Sequence, residues 1–174
     1  MNQIAIVELI GIPIIFILGS FFHFLYKYGG KRPWMAIFSP VNESIWEHLK
    51  IAFYPALIFA IFQYILLNQS TLKFFSSEII GIYVMILFIL VAEWIYPRIL
   101  GKNVLVLDLA VFLIAIILGQ LTSYFLYINT NFELPMWVIL LVIFGQSIIF
   151  GILSFKPLRL PLFRDSVDGK YGIK

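Results

Sequence analysis

Read as apolar and polar positions, the chain alternates long greasy runs with short polar breaks. Five runs are long enough to cross a bilayer, at about 4–26, 51–68, 79–97, 104–127 and 135–155. A hydrocarbon core of roughly 30 Å needs about 20 apolar residues in a helix, and each run comes close to or exceeds that length. The pattern therefore predicts an all-α, polytopic membrane protein with about five spans, forming a single integral membrane domain over 1–174. No internal repeat, low-complexity tract or separate soluble domain interrupts it. The first run lacks a basic leader and is too long for a signal peptide, so it reads as a retained span.

Punctuation agrees with this layout. Pro97 is expected to end the third span and Pro135 to begin the fifth, where a missing N–H costs least. Pro13 and Pro55 fall inside spans, and Gly11 and Gly19 permit close packing of the first. Trp34, Trp46, Trp94 and Trp137 fall near expected interfaces. Between the first and second spans, Ser39-Pro40 reads as the N-cap and first residue of a short interfacial helix.

Composition strengthens the assignment. The chain is 62% hydrophobic and only 12% charged, whereas a soluble domain carries roughly a quarter charged residues. Its mean hydropathy is +1.01. There are no cysteines, which excludes disulfides, thiolate metal sites and cysteine nucleophiles. The net charge of +3 is explained by topology rather than by nucleic acid, and no nucleic-acid partner is expected. Of the 12 Lys and Arg, all but Lys73 lie in 27–50, 98–103 and 156–174, the segments that five spans put on one side. This bias predicts the N-terminus outside and the C-terminus in the cytoplasm of a cell membrane.

The polar residues then concentrate at the basic side. "SPVNESIWEHLK", residues 39–50, holds Asn42, Glu43, Glu47 and His48. Glu43 and Glu47 are four apart on one helical face, with Ser44 and His48 on the next. Its apolar residues Val41, Ile45, Trp46 and Leu49 would dip into lipid if the segment were only a surface helix. His23, Glu93 and Asp108 each fall one turn inside the basic end of a different span. Ionisable groups in a membrane are costly and usually face a bundle interior. Three at one depth predict a polar pocket with His23, Glu93 and Asp108 as floor and residues 39–50 as rim.

Carboxylates with imidazoles and no thiolate suit Zn, Mn or Fe(II), so a divalent metal ion is the cofactor this set implies. His23 and His48 are the candidate metal ligands, Glu43 or Glu47 the candidate general base, and Asn42, Glu93 and Asp108 further pocket residues. No H-E-x-x-H, P-loop or G-x-S-x-G motif is present. Three readings stay open: a metal-assisted hydrolase or transferase acting on a lipid or peptide, a small carrier or transporter subunit using buried carboxylates for ion or proton coupling, and a partner-binding regulatory protein. The expected partners are the lipid bilayer and a second copy or partner subunit. Gln63, Gln120 and Gln146 are expected to hydrogen-bond between helices, Glu8 and Glu78 to lie near outer ends without a special role, and the tail "KPLRLPLFRDSVDGKYGIK" to dock through its leucines and Phe163, with a tight turn at Asp168-Gly169.

"FSPVNESIWEHLK", the preceding "HFLYKYGGKRP" and the closing "LPLFRDSVDGKYG" together resemble a domain-of-unknown-function family of small bacterial multipass membrane proteins, over essentially the whole chain. The resemblance implies a bacterial cytoplasmic membrane location and an unassigned shared role. It carries over no substrate and no catalytic residue.

Overall fold

A computed structural model describes residues 3–67 and 70–173. Among them, five helices are long and apolar enough to cross a membrane. They are α1 (Gln3–Tyr28), α2 (Ile45–Leu67), α3 (Thr71–Leu100), α4 (Leu105–Asn129) and α5 (Met136–Phe155). Short 3-10 turns cover Pro33–Ile37 and Pro161–Phe163. The exposed faces are as apolar as the core: Ile17, Phe21, Ile65, Phe125, Leu141 and Phe144 all point outward. A soluble bundle would be polar there, so these faces mark membrane-spanning helices. Asn68, where the second expected span ends, lies outside the described residues, as does Lys174 of the tail.

The helix α2 is the hub, with 56% of its most apolar window buried against 17% for peripheral α5. It packs on α1 and α3, and α4 closes the ring against α1 and α3. The core between them holds Ile15, Phe53, Phe59, Met85, Ile89, Phe112 and Ile116. A close crossing joins α3 and α4, where a Cβ on Gly81 would run into Gly119 O and one on Gly119 into Gly81 O. Small residues let the two backbones approach and bury their dispersion contacts. In the same way Gly11 leaves room for Phe59 and Gln120, and Gly19 for Phe112.

Several boundaries differ from those the sequence predicts. The third helix does not end at Pro97, which lies in its last turn. Gly101, at φ 70°, ends it instead in the left-handed conformation that glycine adopts without penalty. The third helix also begins eight residues earlier than expected, at Thr71. Pro135 does precede α5 directly. The short helix between the first two spans is the 3-10 turn over Pro33–Ile37, and no helix starts at Pro40. Ser39 is not its N-cap: its hydroxyl donates to Phe22 O (2.6 Å) and accepts from Tyr26 N (2.9 Å). It thus enters the hydrogen-bond ladder of α1 and ties the connection to that helix.

The helix α2 starts at Ile45, and Ser44 caps it, accepting from Glu47 N at 3.4 Å. Ser44 and Glu47 have capping-box spacing, but Glu47 reaches past Ser44 to Val41 N (3.0 Å), while Asn42 Oδ1 accepts from Ser44 N (3.0 Å). Val41 and Leu49 are buried in protein rather than in lipid. Trp46 packs between Phe150 and Phe163 at ring distances of 5.3 and 5.1 Å, which removes it from the interfacial set.

The tail folds back over this connection. Phe163 is buried, as expected, whereas Leu158 and Leu160 remain exposed. Arg164 and Tyr171 pair across a tight turn whose Gly169 has φ 71°. Hydrogen bonds dock it, among them Ser166 N to Glu43 O (3.2 Å), Glu43 N to Asp165 Oδ2 (3.5 Å), Asn42 Nδ2 to Gly172 O (3.1 Å) and Ile173 N to Ser154 O (3.2 Å).

Candidate functional site

The polar residues of 39–50 divide into two sets with different jobs. One set holds the connection together. Lys50, fully buried, donates to Glu47 Oε2 (2.6 Å), Ala36 O (2.7 Å) and Ser154 Oγ. Ser154 in turn donates to Glu47 Oε1 (2.7 Å). The pair joins the 3-10 turn, α2 and α5 with every ammonium proton used. Glu47 is 2% exposed and committed to this network, so it does not reach the pocket as the general base the sequence suggested. Asn42 is likewise a docking residue, bonded to Gly172 O and Ser44 N.

The second set faces a cavity. Glu43 leaves the connection just before α2, and His48 lies in the first turn of that helix. His48 Nε2 is 3.2 Å from Glu43 Oε2, and His23 Nε2, from α1, is 3.6 Å from Glu43 Oε1. The ligand atoms of His23, Glu43 and His48 lie within 4.8 Å of one another. On its other side His48 Nδ1 is 2.9 Å from Glu93 Oε2 of α3. A carboxylate only accepts, so without a metal each ring nitrogen donates, Nδ1 to Glu93 and Nε2 to Glu43, and Nε2 would give up its proton to bind a cation. A carboxylate behind a histidine that points its other nitrogen at a cation is the usual support for a metal-bound imidazole. The two rings sit 5.6 Å apart, and His23 Nδ1 is buried without a hydrogen bond.

Glu43 is the most open member, with 45% of its side chain exposed. Its hydrogen bond with His48 holds its carboxyl below the usual carboxylate range, against an opposing effect of burial. Asp108, in the first turn of α4, bonds Tyr96 Oη and lies on the same cavity wall. The level argument from sequence thus brings His23, Glu93 and Asp108 together with Glu43 and His48, while Asn42 and Glu47 turn elsewhere.

Two spaces meet at this cluster. A polar cavity of about 610 Å³ opens toward the tail, with Arg98, Arg164 and Asp165 on its wall. An apolar slot of about 140 Å³ runs along the bundle between Phe24, Ile51, Leu105, Leu109 and Phe112. Glu43, His48, Glu93 and Asp108 line both. Arg98 stacks on the Trp94 ring at 3.5 Å. Asp165 is not free to act as a ligand, because its carboxylate accepts from Val167 N (2.7 Å) and Asp168 N (3.3 Å) in the tail turn.

Sequence reasoning missed two features. Lys50 is within reach of Glu47 on sequence spacing alone, but its full burial and the link to Ser154 were hidden because Lys50 reads as an interfacial cation. In the other half of the bundle, Glu8 and Glu78 are buried at 4% and 3% exposure and hydrogen-bonded to each other. Gln63 Nε2 donates to Glu8 Oε1 at 3.0 Å, and Gln120 donates to Glu8 Oε2 at 2.8 Å. The expected interhelical role of Gln63 and Gln120 is therefore met, and Gln146 meets it with Tyr83 Oη (3.1 Å). The signal available was depth: Glu8, Gln63, Glu78 and Gln120 all fall one to three turns from the other end of their helices.

No curated protein and no solved structure matches the chain. The membership in a family without an assigned role that the sequence suggested does hold: the model of one such family, described as "Family of unknown function (DUF6512)", matches residues 1–173, and the chain belongs to it.

Proposed function

We propose that the protein is a membrane-embedded, metal-assisted hydrolase or transferase acting on a lipid with an anionic headgroup. The observation that carries this reading is the convergence of His23 Nε2, His48 Nε2 and the Glu43 carboxylate where a polar cavity meets an apolar slot. Two imidazoles and one carboxylate are a donor set that leaves a fourth position of a zinc-like ion open. Such an ion polarises a carbonyl or phosphoryl oxygen and makes water a nucleophile near neutral pH.

The chain's own residues supply the rest. Glu93 fixes the His48 ring and its tautomer. Asp108, on the wall of both spaces, is the carboxylate left to accept a proton from water. Arg98 and Arg164 on the polar wall suit the negative charge of a headgroup, and the slot between Phe24, Leu105 and Phe112 suits an acyl chain. The bond cut lies at the junction of the two. In hydrolysis water adds across it, its hydroxyl going to the carbonyl or phosphoryl centre and its proton, by way of Asp108, to the leaving oxygen; in a transfer an acceptor hydroxyl takes the place of water.

In this reading the site faces the cytoplasm and the N-terminus is outside, in a cell membrane, with residue 73 on the outer side. Confinement of all Lys and Arg but Lys73 to the same side as the site supports the orientation. The test is turnover of defined phospholipids in detergent micelles by metal-loaded protein, followed by mass spectrometry of the products. Wild type is expected to release a headgroup or acyl product, and His23→Ala and Glu43→Gln to fall to background. Turnover that is absent in metal-loaded wild type, or equal in both variants, overturns the enzymatic reading.

A further inference from the structure

The Glu8–Glu78 pair lies in the half of the bundle away from the histidine cluster. Along α1, Glu8 and His23 are about 22 Å apart at 1.5 Å per residue, with the apolar core in between. Four helices contribute to the site: Glu8 from α1, Gln63 from α2, Glu78 from α3, and Gln120 and Ser123 from α4. Its titratable groups, among the described residues, are the two carboxyls. Among the described residues neither carboxyl forms a salt bridge with a Lys, Arg or His.

The donor count is informative. A hydrogen bond between two carboxyl groups needs a proton, so the pair carries at least one. Glu8 already accepts from Gln63 Nε2 and from Gln120, whose carboxamide also donates to Glu8 O at 3.1 Å. Ser123 and Glu8 bond to the Glu78 carboxyl. With two carboxamides donating to its carboxyl, Glu8 is placed as the acceptor of the shared proton and Glu78 as its donor. With a single proton the pair would keep one negative charge buried among apolar residues, with no cationic side chain among the described residues bonded to it, a costly arrangement that a second proton or a bound cation removes. Beside it, Gln63 Oε1 is fully buried and has no hydrogen-bond partner. In that singly protonated form the site is one positive charge short, and it holds an unused oxygen ligand on the residue that already touches Glu8.

We propose that Glu8, Glu78 and Gln63 form a binding site for one small monovalent cation, Na+, which enters in exchange for one proton. The neutral empty site is the doubly protonated pair. The neutral filled site is Na+ with one carboxylate and one carboxyl, bound through carboxyl oxygens and Gln63 Oε1, so that one Na+ binds as one H+ leaves. Oxygen ligands of this kind suit a hard cation. The site shares no residue with the histidine cluster, and either assignment can fail without the other.

The test is thermal unfolding of the detergent-solubilised protein in NaCl against choline chloride at equal ionic strength, since choline is too large for a buried carboxyl pair. A ligand that binds only the folded state raises the apparent Tm in proportion to the logarithm of its concentration above Kd. Wild type is expected to gain stability from Na+ but not from choline. The NaCl midpoint should move about tenfold per pH unit for one-for-one exchange. Gln63→Leu and Glu78→Gln should lose the Na+ effect, and His23→Ala should keep it. Equal Tm in the two salts, or a Na+ effect that survives both Gln63→Leu and Glu78→Gln, overturns the proposal.

Discussion

Replacing Lys50 with Met keeps most of the side-chain volume but removes the ammonium that Glu47, Ser154 and Ala36 O share. Lys50 is 0% exposed and Glu47 2%, so no water takes the place of the lost charge. Breaking a buried pair by removing one partner costs about 3–5 kcal/mol, because the other charge stays buried and uncompensated. For a chain of this size, each kcal/mol corresponds to a Tm change of about 2–4 °C. The apparent Tm of Lys50→Met should therefore fall by roughly 6–20 °C. Replacing the pair together, as Glu47→Leu with Lys50→Met, removes the stranded carboxylate and leaves mainly Val41 N and Ala36 O unpaired. The double variant should lose less than Lys50→Met alone, on the order of 1–3 kcal/mol. Intrinsic tryptophan fluorescence during a thermal ramp in detergent reads both, since Trp46 packs beside the network on Phe150 and Phe163. A Lys50→Met midpoint within about 2 °C of wild type, or a double variant as unstable as the sum of its singles, would refute the reasoning.

Other outcomes follow from the same geometry. Glu93→Gln keeps the shape but loses the anionic acceptor behind His48, and should weaken divalent-metal affinity roughly 10–100-fold; titration with Zn2+ or Mn2+ checks it, and unchanged affinity would remove Glu93 from the site. Gly81→Ala drives a methyl into Ser123 and Gly119 O at the α3–α4 crossing, and should cost about 1–3 kcal/mol in the same thermal assay. For orientation, the chain has no cysteine background. A membrane-impermeant maleimide on intact cells should label Lys73→Cys and spare Lys170→Cys, and the reverse pattern would invert the topology.

Much of the fold was legible because a bilayer imposes a length rule on every span. The apolar runs located five helices, and Pro135 marked the start of α5 to within one residue. The end of α3 was misjudged because proline in a last turn removes a hydrogen bond that the helix end can spare, so Pro97 did not stop it and Gly101 did. The start of α3 was misjudged because polar Ser76, Ser77 and Glu78 look like a loop until the helices that bury them are known.

The site was legible in depth but not in direction. Equal depth brought His23, Glu93 and Asp108 to one level, and the structure sets them around Glu43 and His48. Helical spacing put Glu43 and Glu47 on one face, yet the helix begins at Ile45, so Glu43 stands outside it and the two carboxylates diverge. Which of them meets the cavity depends on Lys50 and Ser154, and Ser154 lies more than a hundred residues away in the chain. The Glu8–Glu78 pair escaped notice for a related reason. With the third span taken to start at residue 79, Glu78 seemed to sit at the surface, whereas it lies in the third turn of α3.

The proposed chemistry depends on a divalent metal held by His23, Glu43 and His48. Metal content of the detergent-purified protein, measured by inductively coupled plasma mass spectrometry beside His23→Ala and His48→Ala, addresses it directly. Wild type is expected to hold about one Zn, Mn or Fe per chain, the stoichiometry of a single three-ligand site, and both variants are expected to lose it while they remain folded. Wild type free of these metals even after incubation with them, or metal retained in both variants, would contradict that chemistry.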